Sequence, residues 1–504
     1  MHNRGLGSWL LTRARISPHR VALMYGGQSV TYAQLAARCT AVARRLTAIG
    51  VNPGDRVAYL GANHSAFVET MLATHLAAGV FVPLNFRLTT DEVAYMLTDS
   101  GTRVLVYGPP CASIVAKLPS DVAAARVAVD SDDDREAHCY DDWVSTDISD
   151  HIDVSVDGSD LALILYTSGT TGRPKGAMLT HDNLLWNTIN ALIGMDTAAD
   201  DVTLISSPLF HVGALGQALL PTLIKGAAAL LIPSWDVDTC FDLIEQEKVT
   251  FMFGVPTMFT QLAQSPRWPD ADLSSLRTLL CAGSAVPMPL IEIYQQRGLS
   301  FCQGYGLTET APGATLLETR ESADHAGSAG PPMFFCEVKV RAAHGDDAIV
   351  GEAGEILIKG PNVSSGYWNN AVATAKAFTP AGWFRSGDIG VVDRHGYLTI
   401  VDRIKDMYIS GGENVYPAEV EEATYACPHV AEAAVIGVAD DKWGEVGHAF
   451  VVARPGQVLD SETLRTWLSQ RLAKYKIPKH YTFLDELPKT GSGKADKRVL
   501  RNRG

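Results

Sequence analysis

The sequence predicts an α/β protein with a large N-terminal domain of several subdomains, residues 1–402, and a small α+β C-terminal domain, residues 403–504. Three observations carry that reading. At 504 residues the chain is too long for one hydrophobic core, which stops growing near about 250 to 300 residues. Short apolar runs rich in β-branched residues alternate with longer helical patterns, as in parallel strands joined by helices. Near residue 400 the texture changes to short strands, turns and two helices.

The elements follow in order. QSVTYAQLAARCTAVARRLTAIGVNPGDRVAYL (28–60) reads as strand, helix, turn and strand. AFVETMLATHLAAG (66–79) is helical, and RVLVYG (103–108), LALIL (161–165), TLISSP (203–208) and FMFGVP (251–256) are strands. GYLTIVDRIKDMYISGGENVYPAEVEEA (396–423) runs strand, charged turn, strand, glycine pair and helix, with Pro417 at the first helical position, where a missing amide proton costs little. VAEAAVIGVA (430–439), HAFVVA (448–453) and the helical SETLRTWLSQRLA (461–473) complete the second domain. The boundary falls at Asp402 to Asp406, a charged stretch suited to an exposed hinge.

Composition excludes several classes. Hydrophobic residues make up 46% and charged residues 19%, and no stretch approaches the ~18 consecutive apolar residues of a membrane helix. A net charge of -14 argues against a general nucleic-acid binder, which needs a clustered basic footprint. The eight cysteines are scattered without a C-x-x-C pair, so they read as packing thiols of a reducing cytoplasm. The first fifty residues hold seven arginines and no Asp, Glu or Lys. That bias reads first as part of a folded domain, with a weak peripheral contact to anionic lipid as a second use. The acidic run DSDDDRE (130–136) reads as a solvated loop, lacking the ligand spacing of a calcium loop.

The most informative stretch is YTSGTTGRPKG (166–176), in which Thr167 to Gly172 are all Gly, Ser or Thr. Consecutive amides of such a loop can converge on a phosphate, with hydroxyls as extra donors and Lys175 as a charge. It is not the P-loop of NTPases, because Pro174 precedes Lys175 and Gly176 follows it.

This string, extended to YTSGTTGRPKGAMLTH (166–181), resembles the phosphate-loop signature of the adenylate-forming superfamily: acyl-CoA synthetases, aryl-CoA ligases, firefly luciferases and peptide synthetase adenylation domains. QGYGLTET (303–310), GWFRSGDIG (382–390), VDRIKDMYISGGENVYPAEVE (401–421) and PKTGSGKADK (488–497) extend the likeness over nearly the whole chain, closest to bacterial fatty acyl-CoA synthetases. The resemblance implies two half-reactions. A carboxylate attacks the α-phosphate of ATP to give an acyl adenylate and pyrophosphate, and a thiol then displaces AMP. Both transition states spread negative charge over oxygens, so positioned donors and cations should carry most of the catalysis.

The resemblance also implies roles. Lys494 bridges carboxylate and α-phosphate. Glu309 ligates Mg2+, Thr308 donates to the α-phosphate, and Tyr305 packs on adenine. Thr167, Ser168, Gly169, Thr170, Thr171, Gly172 and Lys175 cradle phosphates, joined around the nucleotide by Gly283, Ser284, Ala285 and Gly304. Asp388 and Arg403 hold the ribose and nucleotide, with Ser386 where Thr is common. Lys405 is the pivot of the small domain, and Gly411 and Gly412 let a phosphopantetheine arm approach the backbone, although a tight turn explains the same glycines. The acid pocket takes His211, Val212, Gly213, Gly254 and Gly306. His211 stands where amino-acid-activating relatives carry an aspartate, which disfavours an α-amino acid. The small uncharged walls suit a fatty, medium-chain or aryl acid.

The expected activity is therefore an ATP-dependent carboxylic acid:CoA ligase using ATP, Mg2+ and coenzyme A. Transfer to an acyl carrier protein is the alternative, disfavoured because the insertion that hampers CoA use in such relatives is not evident. A luciferase-like oxygenase shares the motifs, and a non-catalytic sensor would lack Lys494 or Glu309. Ala495 and Asp496 stand where a larger aliphatic is common, so a less tightly anchored loop is expected.

Overall fold

The computed structural model describes residues 3–130, 138–145, 152–167, 173–283, 286–404, 406–410, 413–440, 442–490 and 494–502, and of Arg403, Glu413 and Asn414 the backbone alone. Most of the acidic run 130–136 lies outside the described residues.

Two large sheets form the N-terminal part. The first orders its strands His138–Cys139, Ala125–Ala128, Thr102–Tyr107, Arg56–Leu60, Val80–Leu84, Leu161–Thr167 and Lys175–Thr180. All pair in parallel except the last two, which make an antiparallel hairpin. The second runs Gly313–Leu317, Phe301–Gly306, Thr278–Ala282, Phe251–Gly254, Val202–Ile205, Ala228–Leu231, Val21–Tyr25 and Gln28–Thr31. Its interior is parallel and its two edge pairs are antiparallel.

The two sheets share one core. Val57, Phe81 and Val104 of the first meet Leu23, Ile205 and Phe253 of the second through helices that contribute Leu35, Leu46, Phe67 and Met71. The helix Ser65–Leu76 lies so deep that every residue from Ala66 to Leu76 is buried. A helix enclosed on all sides should be apolar all round, yet this one carries Glu69, whose side chain is 0% exposed. Its charge is met by Arg38 at 2.6 and 3.3 Å and by the Tyr140 hydroxyl at 3.1 Å. Breaking a buried pair from one side leaves an uncompensated charge. Arg38→Ala is therefore expected to lower unfolding stability by about 3 kcal/mol, read by urea denaturation.

The N-terminal arginine bias finds its use in the same way. Arg4 pairs with Asp182, Arg13 donates to the Ile224 carbonyl, and Arg20 donates to the Ala199 carbonyl. Among the described residues no helix is long and apolar enough to cross a membrane.

A third, antiparallel sheet follows, Glu337–Arg341, Gly354–Lys359, Phe384–Val392 and Leu398–Arg403, and packs Ile356, Ile358 and Leu398 against Tyr305 and Leu307. A fourth sheet builds the C-terminal part from Glu413–Val415, Tyr408–Ser410, Gly444–Ala453, Val430–Asp440 and the parallel edge His480–Phe483. Helices Pro417–Tyr425 and Ser461–Ser469 cover it around Val420, Val435 and Leu464.

Two expectations need correction. The described residues of the stretch 402–406 are not all exposed: Ile404 is 41% exposed, whereas Asp402 is 7% exposed and accepts from the Ala418 amide at 2.8 Å. Asp406 turns to Arg501 at 2.6 Å. Both carboxylates find donors in the C-terminal helices. The helix read over 461–473 ends at Ser469, and the 3-10 turn Lys474–Lys476 follows it.

Candidate active site

The parallel strands Phe251–Gly254, Thr278–Ala282 and Phe301–Gly306 end in register, Gly254 beside Cys281 and Ala282 beside Gly304. Ligands of open α/β sheets bind outside such carboxyl ends. Gly283 follows with φ +91°, a backbone conformation that favours glycine. A β-carbon built there would lie 3.4 Å from Val255 Cγ1 and 3.8 Å from Lys494 Cε. A lysine ten residues from the C-terminus is thus brought to the strand ends of the N-terminal part.

The described ends of the loop that carries Lys494 are fastened by backbone bonds. The Lys494 carbonyl accepts from the Thr490 amide and the Asp496 amide donates to the Pro488 carbonyl, each at 2.7 Å. Asp496 also caps the helix Lys497–Arg501 through the Arg498 amide and pairs with the Arg498 side chain. A short polar residue anchors this loop better than an aliphatic, because it satisfies a helix start.

A second cluster surrounds Glu309, on the 3-10 turn Thr308–Thr310. The carboxylate is 8% exposed and accepts from the Tyr367 hydroxyl at 2.7 Å. Burial, and next the charge of Glu309, push the Tyr367 phenol far above its ordinary range, so it stays a donor. The turn is pinned from outside: the Ser364 amide donates to the Glu309 carbonyl at 2.7 Å. The fully buried Asn362 amide donates to the carbonyls of Thr310 and Gly313 at 2.7 and 2.6 Å.

Tyr367 also lies under Lys175, whose Nζ is 5.4 Å from the ring centroid. Lys175 is the strand partner of Thr167, whose hydroxyl donates to its carbonyl at 3.4 Å. The hairpin flanking the glycine-rich loop is therefore joined to the Glu309 turn. Ser168, Gly169, Thr170, Thr171 and Gly172 lie outside the described residues, as do Ser284, Ala285, Lys405, Gly411, Gly412 and the Arg403 side chain.

Tyr305 donates to Asp388 at 2.8 Å, and Asp388, 4% exposed, faces Arg403 across the antiparallel pair. Ser386 fixes this corner by accepting from the Asp388 amide and donating to the Ile356 carbonyl. Gly306 has no room for a side chain, since a β-carbon would lie 1.7 Å from the Pro312 carbonyl oxygen.

His211, Val212 and Gly213 lead into a π-helical turn, Ala214–Leu219, a distortion found often at functional sites. The His211 ring packs on Phe210 at 4.5 Å, and Gly213 backs onto the Phe253 ring. Asn187 joins this turn to the Glu309 segment: its amide donates to the Gly216 carbonyl at 2.8 Å and accepts from the Gly313 amide at 3.0 Å. Gln217 Oε1, Gln303 Nε2 and Ser206 Oγ are buried here with no partner among the described residues. Sequence reasoning passed over Tyr367, Asn187 and Asn362. The aromatic pair after Gly366 is the one hint of the first, and single asparagines give none.

One carboxylate, two lysines and the ends of parallel strands suit a polyphosphate with a bound divalent cation. Comparison with known proteins agrees. A model described as AMP-binding enzyme matches residues 10–368, and one described as AMP-binding enzyme C-terminal domain matches residues 419–494. Feruloyl-CoA synthase from Amycolatopsis sp is 50% identical, covering 100% of both chains. Long-chain-fatty-acid--CoA ligase FadD13 from Mycobacterium tuberculosis is 37% identical over 99% of this chain and 98% of its own. The structure of O-succinylbenzoate coenzyme A synthetase from Bacillus subtilis, in complex with ATP and magnesium ion, matches with a TM-score of 0.87, 34% identity and coverage of 98% and 99%. The chain belongs to the AMP-binding enzyme family, as an acyl-CoA synthetase of the adenylate-forming superfamily.

Proposed function

We propose that this enzyme activates a hydroxylated aromatic acid of the ferulate kind and transfers it to coenzyme A, releasing AMP and pyrophosphate. The placement of Lys494 beside Gly283, at the strand ends that also carry Gly304 and Tyr305, is the observation on which the reading rests. A lysine there can neutralise charge shared by the attacking carboxylate and the α-phosphate as the carboxylate oxygen bonds to phosphorus and pyrophosphate leaves. Lys175 and the loop after Thr167 hold the departing phosphates, and Thr308 adds a donor.

Glu309 fits the cation such a reaction requires: it is buried, and among the described residues it forms no ion pair. Bound there, Mg2+ would neutralise phosphate charge, and one protein carboxylate is typical for that ion. In the second half, the thiol gives up its proton, its sulfur bonds to the acyl carbon and AMP leaves; Gly411 and Gly412, outside the described residues, are assigned to the thiol's approach from their motif alone.

Asp388 and Arg403 are assigned to the ribose. Losing a charge-assisted bond costs about 1.5 to 3 kcal/mol, so Asp388→Asn should raise the KM for ATP about 10- to 100-fold. Its KM for the acid should stay within about threefold, as steady-state kinetics would show.

Two features support an aromatic acid over a long alkyl chain. Identity to the feruloyl-CoA synthase exceeds that to the long-chain ligase, 50% against 37%. Gln217 and Gln303 each offer a buried polar atom that an alkyl chain would leave unmatched and a ring hydroxyl or methoxy group can bond. Competition between ferulate and a long-chain fatty acid in ATP–pyrophosphate exchange tests this. Ferulate is expected to win by at least about tenfold in kcat/KM, and preference for the fatty acid would overturn the substrate assignment.

A further inference from the structure

We propose that Tyr367 is a positioning residue that makes Glu309 a one-oxygen ligand and thereby sets the enzyme's preference for Mg2+ over Ca2+. The inference rests on the reading of Glu309 as the metal ligand and goes beyond it, to which ion that ligand accepts.

The geometry carries it. Oε1 of Glu309 is taken by the Tyr367 hydroxyl at 2.7 Å, which leaves Oε2 for a cation. Neither partner is loose. The carboxylate's backbone is held by the Ser364 amide. Tyr367 belongs to a segment laid antiparallel against the strand Lys175–Thr180: the Met178 amide donates to the Gly366 carbonyl at 2.9 Å and the Trp368 amide to the Gly176 carbonyl at 2.8 Å. Its own amide is bound by Thr374 Oγ1 at 3.0 Å, and Ala177 bridges to it across the strands. The backbone from which the phenol projects is therefore fixed relative to the carboxylate.

The two ions ask different things of a carboxylate. Mg2+ takes single oxygens in a strict octahedron at about 2.0–2.1 Å, whereas Ca2+ takes six to eight oxygens at about 2.3–2.6 Å and commonly chelates both oxygens of one carboxylate. Chelation by Glu309 would put the cation on the oxygen that already accepts from the half-buried Tyr367 hydroxyl, and weakening that bond is a penalty on the order of tenfold in binding. Mg2+ incurs no such penalty.

The test uses the full-length protein with a non-hydrolysable ATP analogue, so that no turnover is involved. Bound Mn2+ is followed by electron paramagnetic resonance and displaced by Mg2+ or by Ca2+, giving the ratio of the two affinities. Tyr367→Phe removes one oxygen and is expected to lower the Mg2+ over Ca2+ ratio by about tenfold. A thermal midpoint close to wild type would show that the fold is kept. Glu309→Asp draws the carboxylate away from the phenol by one methylene and should relax the ratio in the same direction. A ratio unchanged in the folded variants overturns the role of Tyr367 while leaving the ligase reading intact. Wild-type Mn2+ affinity in Glu309→Gln overturns the metal assignment and the inference together.

Discussion

Replacing Lys494 by alanine is expected to slow ATP–pyrophosphate exchange by a factor on the order of 10² or more, as when a key oxyanion donor is removed. The loss should be confined to that half of the reaction. Lys494 reaches the strand ends beside Gly283 through the far end of its side chain, while its loop is held by backbone bonds at Thr490, Pro488 and Asp496 that alanine keeps. Unfolding stability should therefore change by less than about 1 kcal/mol. Thioester formation from supplied acyl adenylate should stay within severalfold of wild type. Exchange at the wild-type rate would remove Lys494 from adenylation.

Gly306→Ala should be the most damaging single methyl group in the site. Its β-carbon would sit 1.7 Å from the Pro312 oxygen and 2.8 Å from the Pro312 carbonyl carbon, and no side-chain rotation relieves a clash with backbone. The strand end or the segment through Pro312 must move, and that segment carries Glu309 and is fastened by Asn362 and Asn187. Overpacking of this kind costs about 1 to 3 kcal/mol, sometimes more. Exchange activity in the folded fraction should fall at least about a hundredfold, since small misplacements of reacting groups cost that much. Gly304→Ala is the matched control: its β-carbon would meet Leu316, Leu280 and Ala282 at 3.6 to 3.8 Å, ordinary contact. That variant should fold as wild type in thermal denaturation.

Much of the fold could be read from period and punctuation. RVAYL, RVLVYG and FMFGVP are strands where the apolar runs place them, and the helix after the glycine pair begins at Pro417. These are local signals. What escaped depends on contacts between distant segments. Tyr367 lies 58 residues from Glu309 in sequence, and its role follows from a segment laid across another strand. Asp402 and Asp406 look like surface until Ala418 and Arg501 supply their donors. The π-helical turn after His211 has no period of its own, because it follows from how Asn187 and Phe253 receive it. In the site, Lys494, Glu309 and Tyr305 stand in continuous motifs that a sequence displays, whereas Asn187 and Asn362, which support the Glu309 segment from outside, stand in none. The sequence narrows the acid only to fatty, medium-chain or aryl candidates, since pocket walls come from several segments that meet only on folding.

The most direct measurement is a single turnover of the enzyme with ATP, ferulate and CoA, following AMP, pyrophosphate and thioester together. An acid:CoA ligase of this specificity gives AMP, pyrophosphate and feruloyl-CoA in equal amounts. Pyrophosphate with accumulating feruloyl adenylate and no thioester would contradict CoA as the acceptor, and the absence of pyrophosphate would contradict ferulate as the acid.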